Sequence, residues 1–548
     1  MKRFFVILLM TLLPNIFALD VVGLYEITSD VTLNEDLNVL PGGTVQCYNG
    51  SYTLTVNGNI NNMGIIQNHT LGYLLTLNCS GNLTNSGLIK NNTVNMNGTL
   101  QTILTPTPLA SIEPAYFNIM TPMLIIAMTD LYFRNSVITF MFGGVLDLQN
   151  GFGLNLDNCY FTGGNIIGQT GDTPVSYLYM ANGSFINNST GYNLIYSGIT
   201  LIEDNVIATG NCVNNGEIKS WSNASRTFIA QDNFINNGSI SDNTPYGTYF
   251  ESNGYLENNG TVINSSFICY GDFTNNASFT PQYFYLSGAT VQNITTAFSF
   301  PLSAVNTVCL NPSGITSQSD LYFENSLIDF NDNPITLLNP YCLYVSGGYL
   351  INTNLTGAGT KAESVSYLEA SNGCYLQNTD ITDLVLNGTV DISDDNCTLN
   401  GSILNYATIQ NKSSYNYTLT INGDFDNEGI ITSNPGGYYL YTDFRGTDLH
   451  NGGTWTNQML ILSGTAAQNI SNSFSTPFSP VYVSCDNGNG VIAKSDLEFV
   501  NSLINFNGNY YIDLTEGYNL YISGGYMNNT RIRSEEHTSE LQSHGLIS

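Results

Sequence analysis

The densest carboxylate group in this 548-residue chain is Asp391, Asp394 and Asp395, in the segment DISDDN. Such a group can bind calcium or divide acid and base work between two of its members. A reduced counterpart, LIEDN around Asp204, favours a corner or a calcium-binding loop over an acid/base pair. A second segment, DFNDN from Asp329, begins like an EF-hand loop, but Pro334 stands where glycine is needed and no glutamate follows at the twelfth position. Imidazole, the usual general base, is scarce. Of four histidines, His537 and His544 lie at the extreme C-terminus, which leaves His69 and His450. Of the ten cysteines, Cys309 and Cys485 occupy matching positions of the second and third copies, and the other eight show no shared spacing or CxxC pair, so a zinc site is not expected on these spacings. Beyond calcium at the three aspartates, no cofactor is expected.

The elements that must carry these groups are set by repetition. TDLYFRNSVITF from Thr129 returns as SDLYFENSLIDF from Ser319 and as SDLEFVNSLINF from Ser495. YTLTVNGNINNMGII from Tyr52 reappears as YTLTINGDFDNEGII from Tyr417, an offset of 417 − 52 = 365, and Thr129 to Ser495 gives 495 − 129 = 366. Between the first and second copies the offset jumps from 254 − 81 = 173 to 319 − 129 = 190, which places an inserted stretch near TVINSSFICYGDFTNNAS from Thr261. One long unit is therefore written about 2.8 times, and whole-rung insertion is well tolerated where each rung touches only its neighbours.

Inside each long unit runs a shorter one, G-x-Φ-x-N-x-G-x-Φ with Φ apolar. It occurs as GNINNMGII at Gly58, GNLTNSGLI at Gly81, GNCVNNGEI at Gly210, GYLENNGTV at Gly254 and GDFDNEGII at Gly423. Spacings are 81 − 58 = 23 and 254 − 232 = 22 residues, with the weaker copy starting at Asp232. At ~3.3 Å per strand residue, ~22 residues make one lap of three short strands. Leu54, Val56 and Ile60 alternate with Thr53, Thr55 and Asn57, the period of a half-buried strand. The expected fold is all-β: a single-stranded, right-handed parallel β-helix of about 22-residue rungs. An array of antiparallel sandwiches is the alternative, but immunoglobulin-type sandwiches repeat near ~100 residues and have no inner lap. Gly58, Asn62, Gly64, Gly81, Asn85, Gly210, Gly254, Gly423 and Asn427 are expected at corners of positive φ, with stacked Asn amides bonding along the axis.

Composition bounds the partners. Charged residues are 10 %, Gly numbers 52 and the formal net charge is −30, with only 12 Lys and Arg. A nucleic-acid partner needs clustered cations and is excluded. Residues 1–18, MKRFFVILLMTLLPNIFA, place Lys2 and Arg3 before an apolar run that is too short to span a membrane, which reads as a secretory signal. No later apolar stretch is long enough to span one. Export makes the cysteines a disulfide question: most are expected to be buried small hydrophobes, with one or two bridges between adjacent rungs. N-x-S/T triplets at Asn78, Asn182, Asn237, Asn259, Asn387 and Asn416 fit either glycan acceptors or ordinary corner sequences.

The repeat divides the chain into a first copy at 19–200, a second at 201–390 with one extra rung, and a truncated third at 391–532. Residues 533–548 match nothing in the earlier copies. The segment Arg533–His544, RSEEHTSELQSH, resembles a translated sequencing-library adapter and is expected to be non-native, the natural protein continuing beyond it.

Two resemblances follow. Asn378-Thr379-Asp380, Asp394-Asp395, His450-Asn451-Gly452 and Arg531-Ile532-Arg533 resemble, in order, four motifs of the β-helix polygalacturonases. That family sets them on neighbouring rungs, whereas the last two gaps here are 450 − 395 = 55 and 531 − 450 = 81 residues, too far to flank one glycosidic bond. Pectate lyases are no closer, since Arg134 becomes Glu324 and Val500 in the other copies. The glycine-asparagine laps with few charges and a signal resemble the secreted β-helix proteins that include filamentous-haemagglutinin-type adhesins and autotransporter passengers. This resemblance implies a non-enzymatic scaffold, secreted or at a cell surface, that contacts a surface protein or a polysaccharide. A carbohydrate-active β-helix enzyme is the alternative. Outward tyrosines, as at Tyr349 and Tyr526, fit either a binding face or ordinary strand filling.

Overall fold

A computed structural model describes residues 18–105, 110–120, 124–148, 150–169, 176–187, 189–202, 206–220, 226–242, 248–338, 340–357, 366–433, 436, 438–534 and 537–542. The signal segment, but for Ala18, lies outside the described residues, as does Asp204. The chain forms two compact units, Met1–Phe234 with Asn243–Thr248, and Ile235–Asp242 with Tyr249–Ser548. Each unit is a parallel β-helix.

In the first unit, Tyr52–Val56, Ile60–Asn62 and Ile65–Gln67 make one lap. Leu75–Cys79, Leu83–Asn85 and Leu88–Lys90 make the next. Tyr52 pairs with Leu75, Ile60 with Leu83 and Ile65 with Leu88, each 23 residues on and each parallel. The second unit repeats the plan: Tyr417–Ile421, Asp424–Asn427 and Ile430–Thr432 lie under Leu440–Phe444, Asp448–Asn451 and Thr454–Thr456. The inserted stretch supplies Ser266–Cys269 and Phe273–Asn275 of one lap, which closes with Phe279–Thr280. Among the described residues the one helical element is a single 3₁₀ turn, Met141–Gly143. The registered pairings are parallel except Arg531–Ser534 against His537–Gln542, where the foreign-looking tail turns back antiparallel. Antiparallel sandwiches are thereby ruled out.

Alternation explains the core. Leu54, Val56, Ile60, Leu75 and Leu77 are fully buried, while Thr53, Thr55 and Thr76 keep part of their surface in solvent. Each lap therefore covers the apolar side chains of the next, and each full burial of a Leu or Val is worth about 1.5–3 kcal/mol.

The corners differ from expectation. Asn62, Asn85 and Asn427 do not turn the chain. They end strands, point inward and are completely buried. There they form the amide ladders: Asn62 Nδ2 donates to Asn85 Oδ1 at 2.7 Å, and in the second unit Asn405 donates to Asn427 and Asn427 to Asn451, both at 2.7 Å. Of the named glycines, Gly210 holds positive φ, +72°. Gly58, Gly64, Gly81 and Gly423 do not, and they are glycine for a different reason. A Cβ on Gly81 would stand 2.5 Å from the Gly58 carbonyl oxygen, and one on Gly64 or Gly423 would strike the carbonyl of Gly43 or Gly401 one lap below. The Gly254 carbonyl crowds Gly271 in the same way and accepts from Ser252 Oγ at 3.2 Å.

Positive φ belongs to another set. Asn135, Asn325 and Asn501, matched positions of the best-kept repeat line, have φ of 51°, 52° and 56°. The serine that follows each is buried and bonds to backbone: Ser136 Oγ to Arg134 O at 2.8 Å, Ser326 Oγ to Ala304 O at 2.6 Å, and Ser502 Oγ to Pro480 O at 2.6 Å. Asn tolerates the left-handed region because its short amide bonds locally, and the serine hydroxyl satisfies the carbonyls at the bend.

All ten cysteines are buried and free, so the expected inter-rung bridges are absent. Cys47, Cys79, Cys309, Cys374 and Cys485 stand in strands and register with apolar residues rather than with one another. Cys269 and Cys309, for example, both register with Leu286, which lies between them. Two laps separate their Cα atoms by about 9.6 Å, beyond the reach of a disulfide. Burial pushes the thiols of Cys79, Cys269, Cys374 and Cys397 up to about 12.

Candidate functional site

The three aspartates named from the sequence are not brought together. Asp391 is the penultimate residue of Val385–Ile392 and is fully buried. Its Oδ1 accepts from Gln410 Nε2 at 2.7 Å and Lys412 Nζ lies 3.9 Å from Oδ2. Burial raises its carboxyl above the usual range, against the opposing pull of Gln410 and Lys412. Asp394 instead caps the turn through Asn396 N at 2.7 Å, and Asp395 accepts from Thr418 N at 2.7 Å, one lap on. Each carboxylate serves its own turn or strand, so the shared calcium loop is not formed.

The polygalacturonase-like motifs are also dispersed. Asp380 registers with Thr398, Thr398 with Thr420 and Thr420 with Asp443, a column on one wall. His450 registers with Asp426 on a different wall. Thr379 is buried with its hydroxyl on Leu350 O, and Arg533 pairs with Asp513 at 3.6 Å.

One group does converge, and the sequence reading missed it. Among the described residues Asp426, Glu428 and His450 are the set of carboxylate, imidazole or thiol side chains whose donor atoms all lie within 4.8 Å of one another. Alternation positions them: in Asp424–Asn427 and Asp448–Asn451, Phe425 with Asn427 and Leu449 with Asn451 point into the core, which sends Asp426 and His450 outward on the same wall. The register Asp426↔His450↔Ser471 then makes a column. His450 Nδ1 lies 2.8 Å from Ser471 Oγ, and its Nε2 lies 4.0 Å from Glu428 Oε1. Asp426 Oδ1 is shut off from solvent with no hydrogen-bond partner. Burial raises the Asp426 carboxyl, opposed by His450. Gly452 makes room for Glu428, because a Cβ there would collide with the Glu428 carboxylate. Along the chain these residues are 450 − 426 = 24 apart, so the signal was available: one lap plus outward parity puts them side by side.

A second outward feature is aromatic. Phe298, 55 % exposed, stacks on Tyr322 at 5.6 Å and meets Tyr344 edge-on at 4.9 Å; Tyr322 and Tyr344 are register partners 6.3 Å apart. At matching places of the third copy stand Phe474, 86 % exposed, and Tyr521. Tyr349 stacks on its register partner Tyr375 at 4.7 Å, whereas Tyr526 registers with Leu503.

No protein-family model, no curated protein and no solved structure matches this chain. No helix among the described residues is long and apolar enough to cross a membrane.

Proposed function

We propose that the chain is a non-enzymatic scaffold, secreted or displayed at a cell surface and adhesin-like, whose coils present binding faces to a polysaccharide or a surface protein. The observation that supports this most directly is the cluster of exposed Phe298 with half-buried Tyr322 and Tyr344, two of whose three places carry Phe474 and Tyr521 in the next copy, with Glu498 at the third. Tyr322 and Tyr344 stand on strands and hold the turn residue Phe298 against them, and aromatic faces suit the CH surfaces of sugars or apolar side chains. The test is retention of the full chain on immobilised neutral and acidic polysaccharides and on intact cells, with polysaccharide chain length followed in parallel. Retention without shortening is expected, and the double variant Phe298→Ala with Tyr344→Ala should weaken it about tenfold or more. Catalytic shortening of any polysaccharide would replace this reading with the second, a carbohydrate-active enzyme. One observation favours that second reading: the Asp426, Glu428 and His450 group occurs in a single copy.

A further inference from the structure

We infer that Asp426, Glu428 and His450 bind one divalent transition-metal cation of the zinc class. The inference stands apart from the adhesin-like reading and holds or fails without it. Two carboxylates and one imidazole are a donor set suited to such a cation, whereas calcium takes oxygen donors in greater number. The three donor atoms already lie within 4.8 Å of one another. Around a metal with bonds of about 2.0–2.2 Å, tetrahedral donors stand about 3.3–3.6 Å apart, so the part-exposed Glu428 has only to swing inward.

Four features of the surroundings point the same way. His450 Nδ1 lies 2.8 Å from Ser471 Oγ, and in the tautomer that carries its proton on Nδ1 the Nε2 lone pair is left for the carboxylate side, which is how an outer hydrogen bond commonly sets a metal-binding imidazole. Asp426 Oδ1, excluded from water and unpartnered, is a buried acceptor in want of a positive partner. Among the described residues no lysine or arginine pairs with Asp426, and Lys494, which follows the Ala493 that registers with Ile470, is paired with Glu516. Meanwhile Asp424 and Asp448 add negative charge two residues away along the same two strands. Finally, the set is confined to the third copy. Asn61, Met63 and Thr84 occupy its places in the first copy, and Ile235, Asn237 and Glu257 occupy them in the second. Backbone stacking therefore does not require these residue types. Three protein ligands on an open wall leave coordination positions free for water or for a donor from a bound partner.

The experiment is titration of the chelator-stripped full chain with Zn2+ by calorimetry and with Co2+ by visible absorption. One equivalent is expected to bind in a site with nitrogen and oxygen ligation. Asp426→Asn and His450→Gln should each lower the affinity about tenfold or more, and Ser471→Ala, which disturbs only the ring orientation, about tenfold. Far-ultraviolet circular dichroism checks that each variant keeps its β structure. On the unaltered chain, Co2+ should broaden the ring signals of one histidine out of four. Diffuse cation binding by a chain of net charge −30 is the competing result. It would appear as equal binding by the unaltered chain and His450→Gln, or as no selective histidine broadening, and either outcome overturns the site.

Discussion

Replacing Asn427 by alanine is expected to destabilise the surrounding laps by about 3–5 kcal/mol, far more than a one-residue polar change on a β surface. Asn427 is completely buried and sits mid-ladder. It accepts from Asn405 Nδ2 at 2.7 Å, and its own Nδ2 donates to Asn451 Oδ1 at 2.7 Å and reaches Thr454 O at 3.3 Å. Alanine strands a donor above and two acceptors below, in a place that water does not reach, at about 1–3 kcal/mol for each orphaned group. Asn422 is the internal control. It donates to Asn400 Oδ1 at 3.0 Å in the same laps but at the exposed surface, so Asn422→Ala should cost less than about 1 kcal/mol. Amide hydrogen exchange of Ser402–Asn405, Asp424–Asn427 and Asp448–Asn451 measures both. Equal protection in the two variants would mean that the inner ladder carries no special weight.

Trp455→Ala should cost a similar amount, about 3–5 kcal/mol. Trp455 is the largest fully buried side chain among the described residues, lodged between Phe425 at 5.9 Å and Phe478 at 5.6 Å, with Phe478 stacked on Phe499. Its removal leaves a void that rigid neighbouring laps cannot close, and it strands Asn457 Oδ1, which accepts from the indole nitrogen at 3.1 Å. The same column is built differently elsewhere: Phe279, Leu302 and Phe323 in the second copy, and Ile89, Ile112 and Phe133 in the first. Trp455→Phe is thus a replacement the architecture already uses at the matching place, and it should lose only about 1–2 kcal/mol. Urea unfolding of the three chains gives the comparison. A Phe variant as weak as the Ala variant would contradict it.

Much of the coil was legible because stacking imposes its period on the chain. Leu54, Val56 and Ile60 alternate with polar neighbours, and the 22 to 23 residue spacing of Gly58, Gly81 and their relatives equals one lap. The ladders were legible too, but the physical role of individual residues was not. Pattern alone does not distinguish a glycine that turns the chain from one that lets a carbonyl pass. Gly64, Gly81 and Gly423 proved to be the second kind, and Gly58 leaves room for the Glu35–Asp36 backbone and the Asp36 carboxylate. Asn135, Asn325 and Asn501 were in plain view in the best-kept line, yet they read as ordinary polar positions until their φ values were seen. The candidate site was hidden for a related reason. Asp391, Asp394 and Asp395 are close along the chain but point three ways, whereas Asp426 and His450 are distant along the chain and touch across a lap. In a coil of this kind, chemistry assembles at intervals of one lap and not within a segment.

Register between laps underlies all of this, and paired cysteines test it directly. Thr53 registers with Thr76, and Thr76 with Thr93, all outward on one wall of the first unit. The ten native thiols are buried. Introduced cysteines at 53 and 76 would stand about 4.8 Å apart between Cα atoms, within disulfide range, and those at 53 and 93 about 9.6 Å, outside it. Mild oxidation followed by peptide mass mapping should therefore find an intrachain bridge in Thr53→Cys with Thr76→Cys and none in Thr53→Cys with Thr93→Cys. No bridge in the first pair, or equal bridging in both, would contradict parallel laps stacked in this register.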